Sequence, residues 1–521
     1  MYKYNKIWIG NNDKGNMISL LPQYANRHGL ICGATGTGKT ITLKVLAETF
    51  SEMGVPIFMA DVKGDVSGMM KPGTDSADMQ ERIKKFKLNE AGFQYSGCPV
   101  TFWDIYGTKG IQLRTTISEM GPILLSRILD LNDLQSDILS VVFKIADDNQ
   151  LLLIDTKDLK AMLNYVEQNT DQFQADYGKI SSASIGVIIR SIVALESQGG
   201  DIFFGEPALN ISEWLTLGND GKGMINILDS SSLVNNGKLY STFLLWLLSE
   251  LFEALPEVGD TEKPKMVFFF DEAHLLFNDI SKTLLTKIEQ TVKLIRSKGV
   301  GVYFCTQNPN DIPNNVLAQL GNKIEHGLRA YTPADQKSVK AAAESFRVNP
   351  EFDTFDTILN LGIGEAIVSF IDENGIPSIA EKVNIMPPRC SFGAITDIER
   401  EQTVKCSLAY SRYAISQDPD SAYEFLQRHQ EASAIRKEEE KTQELAEKEM
   451  IKQEKLAAKE AERDLKARQK AVKSVGSTLA GTVGRELGKQ AGKSFGSFGK
   501  TLGGNVGAQL ARSILGTFFK G

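Results

Sequence analysis

The sequence predicts an α/β fold built on a mostly parallel sheet with helices on both faces. Three observations predict it. Short apolar runs without alternation recur at 54–61, 98–104, 223–229, 265–273 and 300–307. Such runs suit strands covered on both faces, because a strand with one wet face alternates apolar and polar residues. Helical stretches separate these runs, as the crossovers between parallel strands require. The third observation is a glycine-rich turn, "GATGTGKT" at Gly33–Thr40, with an apolar run ahead of it and a helical pattern behind it.

The elements can be justified in order. "HGLICGA" reads as a short buried strand. In the turn that follows, Gly33, Gly38, Lys39 and Thr40 occupy the fixed places of G-x-x-x-x-G-K-[ST]. Glycines let the backbone curl so that the N–H groups along Ala34, Thr35, Gly36 and Thr37 face an anion. A helix starting at Gly38 adds its positive end. Lys39 is then expected at the β- and γ-phosphates of ATP, and the Thr40 hydroxyl at Mg²⁺. Leu43, Leu46 and Phe50 continue at helical spacing, and Gly54 is a stop signal. The plain alternative is a glycine-rich turn that holds no ligand.

Residues 118–220 read as mostly helical, a helical insertion within the α/β core. Two further strands are expected within 322–330 and 364–370, and "MPPRCSFG" at 386–393 reads as the exit from the core. Domain 1–393 is followed by a connector, 394–420. Residues 421–475 are crowded with Glu, Lys, Gln and Ala and lack Gly and Pro, so one long helix is expected. Ile435, Leu445, Leu456 and Leu465 keep no heptad, so a regular coiled coil is not.

The tail, 476–521, repeats glycine every four residues at Gly484, Gly488, Gly492 and Gly496. On a helix this makes a smooth stripe for close backbone approach, but glycine weakens the helix, so order there would need a partner. Basic residues such as Arg485, Lys489 and Lys493 interrupt the stripe, so it does not read as a spanning segment. It suits self-association, an anionic membrane surface or a protein partner; a weakly helical tail without a partner is the other reading.

A chain of 521 residues with 42% hydrophobic content has material for more than one packed domain. Its formal net charge of −7 argues against a surface coated for nucleic acid, though not against a local patch or a lined pore. Five scattered cysteines with no C-x-x-C pair suit reduced thiols in the cytoplasm, and Cys32 and Cys305 are expected to be packing residues. The first thirty residues hold no apolar signal region. No run of about twenty apolar residues occurs, so no spanning helix is expected. A cytoplasmic location is expected, with peripheral membrane attachment through the tail left open.

"MVFFFDEAH" separates hydrolysis from other P-loop chemistry. Four apolar residues run into Asp271 and Glu272 at the end of a strand. Asp271 is placed for Mg²⁺ and Glu272 for polarising an attacking water, which suits hydrolysis rather than transfer to a second substrate. His274 reads as a packing or hydrogen-bonding residue. In "VGVYFCTQNPNDIP", Gln307 ends a neighbouring strand. Its amide can touch the γ-phosphate or the lytic water; a polar strand cap is the alternative.

The series "HGLICGATGTGKT", "FMADVKGDVSG", "VFFFDEAHLLF", "CTQNPNDIP" and "HGLRAYTPADQKSVKAAAESF" resembles the HerA/FtsK branch of P-loop ATPases, most closely bacterial HerA-like proteins that share the HerA C-terminal region. It covers roughly residues 5–390. The resemblance implies a RecA-like core with the Gln307 strand between the P-loop strand and the Asp271–Glu272 strand. It also implies a homo-oligomeric ring, most often a hexamer, with ATP between subunits and double-stranded DNA as cargo. Such a site needs an arginine supplied in trans, for which Arg329 is the first choice and Arg347 and Arg296 the second. Asp61 and Lys63 are expected to line the same cleft. Only about thirty residues precede the P-loop strand, too few for the β-barrel with which HerA meets its nuclease partner, and no winged-helix reader of the FtsK kind follows. Neither a nuclease-coupled role nor sequence-directed loading is therefore expected. The alternative to a DNA motor is a motor for protein or membrane-associated cargo, with the tail as anchor.

Overall fold

A computed structural model describes residues 1–233, 237–259, 261–277 and 282–475. The glycine-rich tail, 476–521, lies outside them. Thirteen strands form one sheet among the described residues: β1 Tyr2–Lys3, β2 Lys6–Asn12, β3 Met17–Leu20, β4 Gly29–Cys32, β5 Ile57–Asp61, β6 Val100–Asp104, β7 Ile111–Gln112, β8 Ile225–Asp229, β9 Met266–Phe270, β10 Val300–Thr306, β11 Asn322–His326, β12 Glu365–Ser369 and β13 Glu381–Ile385. Their order is β1-β2-β13-β12-β11-β4-β10-β9-β5-β8-β6-β7, with β3 on β2.

From β11 to β7 every pairing is parallel. The other pairings are antiparallel, so β12, β13 and the N-terminal strands make a second, meandering half. Strand β10 lies between β4 and β9, the order of a RecA-like P-loop core. The apolar runs explain why both faces are covered. On β9, Phe268 and Phe270 join one buried cluster while Val267 and Phe269 join the other. On β5, Phe58 and Ala60 separate from Ile57 and Met59 in the same way.

Between β7 and β8 lie six helices, from Ile117–Ile128 to Gly200–Phe203. Capping boxes at Thr116/Glu119, Asn132/Gln135 and Asp155/Asp158 start three of them by satisfying their free N–H groups. Leu124, Val142, Leu163 and Ile188 from this insertion share one apolar cluster with Trp103 and Phe268 of the sheet. The apolar run "LYSTFLLWLLSELFEAL" belongs to helix Gly237–Ala254, where Phe243, Leu247 and Leu251 are buried in that cluster. No single described helix is long and apolar enough to cross a membrane.

The chain divides into two compact units, Met1–Arg428 and His429–Gly521. It does not leave the core at 386–393, as the sequence suggested. The helix after the P-loop, Lys39–Glu52, carries Lys44 and Glu48 one turn apart, both buried. The Lys44 ammonium donates to the carbonyls of Asp65 (2.8 Å), Ser391 (3.0 Å) and Phe392 (2.8 Å). Glu48 accepts the N–H groups of Arg389 (2.9 Å) and Cys390 (3.3 Å), while the Arg389 guanidinium makes two bonds to Glu52. Burial forces this arrangement, because an unmet carboxylate or ammonium in the interior is costly. Residues 394–420 also stay on the core: Arg400 reaches Asp229 at 3.4 Å and lies over the Phe102 ring. Helix Ala422–Val475 then runs for 54 residues. Its Ile435, Leu445, Leu456 and Leu465 are exposed, and Glu444–Lys448 and Glu462–Lys466 pair along its surface.

The clasp at 389–392 makes a stability prediction. Arg389→Ala leaves Glu48 buried without its cation and should cost about 3–5 kcal/mol. A denaturation midpoint that drops for Arg389→Ala but holds for Lys6→Ala, at the exposed pair with Glu373, is the expected result.

Candidate nucleotide site

The register of three parallel strands assembles the site. Cys32 of β4 lies opposite Thr306 of β10, and Phe304 of β10 opposite Phe270 of β9. Gly33, Gln307 and the Asp271–Glu272 pair therefore emerge side by side at the carboxyl edge of the sheet, where ligands of open α/β sheets bind.

The loop is held from below by β11 and from the side by the turn before β12. Ala34 N–H donates to Gly327 O, and Gly364 N–H donates to Thr37 O, both at 3.0 Å. A side chain on Gly33, at φ +148°, would come within 2.5 Å of the His326 Cβ, so glycine is required there. Gly36 and Gly38 also have positive φ, +80° and +119°. Lys39 donates to the carbonyls of Gly33 (2.6 Å) and Ala34 (3.1 Å), which folds its ammonium over the loop. Burial lowers its pKa. Thr40 is half-buried on the first turn of the helix. The cradle, the lysine above it and the helix start together fit a polyphosphate.

Glu272 is buried, and its backbone sits at φ +49°. A non-glycine residue in that region is strained. The next N–H, of Ala273, donates to Cys305 O at 2.8 Å and ties the turn to β10. Four contacts converge on the Glu272 carboxylate. Lys63 Nζ lies 2.7 Å from Oε1, Gln307 Nε2 lies 3.3 Å from both oxygens, and His274 Nδ1 lies 3.4 Å from Oε2. Gln307 also accepts the Thr35 hydroxyl at 3.2 Å, so its amide links the phosphate loop to the acid.

Acidic groups crowd this edge. Burial pushes Asp271 up to about 6, and repulsion from Glu272 adds to it. Burial, with Asp65 next, pushes Asp61 up to about 7. Burial pushes Glu272 the same way, but hydrogen bonds and charge from Lys63 and Gln307 outweigh it and leave the group below its usual range. The Asp271 carboxylate and the Thr40 hydroxyl together form a hard-oxygen donor set suited to Mg²⁺.

Lys63 is brought to Glu272, and Asp61 turns its loop by accepting Gly64 N–H at 2.7 Å. Arg329, Arg347 and Arg296 are all exposed. Arg329 lies two residues beyond Gly327, which holds the phosphate loop, and makes no ion pair among the described residues. Cys32 and Cys305 are buried within the sheet. Sequence reasoning did not find His326, which bridges Thr42 Oγ1 (2.8 Å) and Glu365 O (3.0 Å) beneath the loop. Burial lowers its pKa to about 4, so the ring is neutral at pH 7. Nor did it find Lys44, although a lysine inside "TITLKVLAETF" was a visible signal.

The geometry ranks the glycines. Gly36 faces open space, so Gly36→Ala meets backbone strain alone and should weaken ATP binding about tenfold. Gly33→Ala adds the collision with His326 and should abolish the ATP-dependent rise in melting temperature, the measurement that checks both.

Comparison with known proteins supplies the family. The model for "Helicase HerA-like C-terminal" matches residues 6–520. Two curated relatives, the DNA double-strand break repair helicases HerA of Sulfolobus acidocaldarius and Sulfurisphaera tokodaii, are each 23% identical over 354 residues. Those alignments cover 66% of this chain and 62% of each relative, so the chain spans less than two thirds of their length. Among solved structures, the plasmid coupling protein TrwB with a non-hydrolysable ATP analogue is similar at 16% identity and a TM-score of 0.49, covering 72% of this chain and 90% of its own. VirB4 of Thermoanaerobacter pseudethanolicus is similar at 16% identity and a TM-score of 0.45, covering 74% and 97%. With the family model matched over nearly its whole length, this chain belongs to the helicase HerA-like C-terminal family.

Proposed function

We propose that this protein is a Mg²⁺-dependent ATP hydrolase that works as an oligomeric motor on double-stranded DNA. The observation that carries the hydrolase reading is the Thr35–Gln307–Glu272 relay, which joins a phosphate cradle to a paired acid. In this reading the loop from Gly33 to Thr40 holds the phosphates, with Lys39 at the β- and γ-positions. Thr40 and Asp271 would hold Mg²⁺, which would supply charge neutralisation on the phosphates. Glu272 polarises the attacking water, and Gln307 reports on the phosphate end through its amide. Arg329 serves a neighbouring subunit's site; its exposure, with no ion pair among the described residues, supports that use. The DNA cargo rests on family membership and on relatives named as DNA helicases, and the ring on the resemblance of the motif series.

Steady-state ATP turnover with and without linear double-stranded DNA tests this. Lys39→Ala and Glu272→Gln should each lower turnover about 10²-fold or more. DNA should raise wild-type turnover, less so as salt rises, because phosphate contacts release counterions. Lys39-dependent turnover that ignores DNA at every salt would remove the DNA reading and leave the hydrolase, with protein or membrane cargo as the next substrate to try. Arg329→Ala should keep ATP binding and lose about 10³-fold in turnover. Light scattering on the wild type reports whether a ring forms.

A further inference from the structure

The Glu272 carboxylate is more fully engaged than a group awaiting water should be. A carboxylate offers about four acceptor positions. Here Lys63 and Gln307 approach Oε1, and Gln307 and His274 approach Oε2. Three donors crowd the group, and a lytic water must compete with them for a place on it. Gln307 is tied at its other end to Thr35 of the phosphate loop, and His274 opens the short helix that follows Glu272. Lys63 is the shortest contact and a full cation, and its side chain is 44% exposed on a loop.

That loop is held at its base rather than at its tip. Asp61 Oδ1 accepts Gly64 N–H, with Gly64 at φ +78°, and Lys44 donates to Asp65 O from the buried face of the P-loop helix. Lys63 is thus presented at a set place while its ammonium stays on a flexible stem. Its charge also reaches Lys39, so the two ammonium groups lie in one neighbourhood. A polyphosphate held by Lys39 is a stronger attractor for a second cation than one carboxylate is.

Resting on the hydrolase reading above, we propose that Lys63 is a latch on Glu272. Its ammonium holds the carboxylate when the phosphate loop is free, and moves to the terminal phosphate when a triphosphate is held, leaving a Glu272 oxygen for water. Lys63 is in this sense a positioning residue that acts through Glu272, and Lys44 sets where its loop stands.

Amine footprinting of the full-length protein tests the latch without turnover. A water-soluble acylating ester is applied at low dose, and Lys63 labelling is read by peptide mass spectrometry with exposed Lys84 as the internal reference. Glu272→Gln removes the charge that occupies Lys63 and should raise its labelling about fivefold over wild type. Adding Mg²⁺ and a non-hydrolysable ATP analogue to Glu272→Gln should return labelling to the wild-type level. Equal labelling in wild type and Glu272→Gln, or no protection by the analogue, overturns the proposal. Turnover separates the latch from catalysis. The ammonium meets the terminal phosphate only after leaving Glu272, so Lys63→Met should lower turnover at saturating ATP by only about fivefold, and Lys63→Arg should restore it. A Lys63→Met rate as low as that of Glu272→Gln would overturn the latch and make Lys63 a phosphate-contacting catalyst. A wild type without any Lys39-dependent hydrolysis would remove the hydrolase reading instead, and the footprint of Glu272→Gln would still decide whether Lys63 is held by Glu272.

Discussion

An ionised group taken out of water must be met by partners, and the P-loop helix buries two of them, Lys44 and Glu48, on one face. Beyond the Asp65 carbonyl, their main-chain partners come from residues more than three hundred positions away: carbonyls of Ser391 and Phe392 for the ammonium, N–H groups of Arg389 and Cys390 for the carboxylate. Most of these partners are backbone, so the demand is chiefly for a path of the chain, to which the Arg389 guanidinium adds a cation 3.6 Å from Glu48. That path brings the chain that follows β13 against the helix whose first turn carries Lys39 and Thr40, and fixes it. The same lysine holds Asp65, and with it the loop that presents Lys63.

From that fixed helix a closed circuit of contacts runs around the site. It passes from Lys44 to the Asp61–Asp65 loop, from Lys63 to Glu272, from Glu272 to Gln307, and from Gln307 to Thr35 on the phosphate loop. Acids are concentrated at the carboxyl ends of β5, β8 and β9, and their mutual repulsion is offset by cations drawn from several elements: Lys63 beside Glu272, and Arg400 and Lys109 beside Asp229. Burial strengthens both the repulsion and the pairing, because less water screens them. Glu272 shows the outcome. Burial alone would favour its neutral form, yet its donors keep it a carboxylate.

Much of the fold was legible because its signals are local. Apolar runs without alternation marked β5, β6, β8, β9 and β10, and the helix spacing of Leu43, Leu46 and Phe50 marked the face that packs on the sheet. Spacing also brought Gly33, Lys39, Thr40, Asp271 and Glu272 forward as candidates, since phosphate and metal chemistry demands those residue types at strand ends. The path after residue 386 was misread, because "MPPRCSFG" has the look of a loop and its partners on the P-loop helix are distant in sequence. His326 was missed for a similar reason: its neighbours, Thr42 and Glu365, come from a helix and a strand that no local pattern connects to it.

What the sequence by itself determined is the set of elements and the chemistry available at their ends. Hydrophobic periodicity, glycine placement and the acid pair are properties of neighbouring residues, and they need no knowledge of the rest of the chain. Tertiary structure alone decided which groups meet. The register of β4, β10 and β9 set Gln307 between Thr35 and Glu272, the turn at Asp61–Gly64 delivered Lys63 to the same carboxylate, and the 389–392 backbone closed over Lys44 and Glu48. Those meetings follow from strand order and from the need to satisfy buried charge, both of which are set by the whole chain at once.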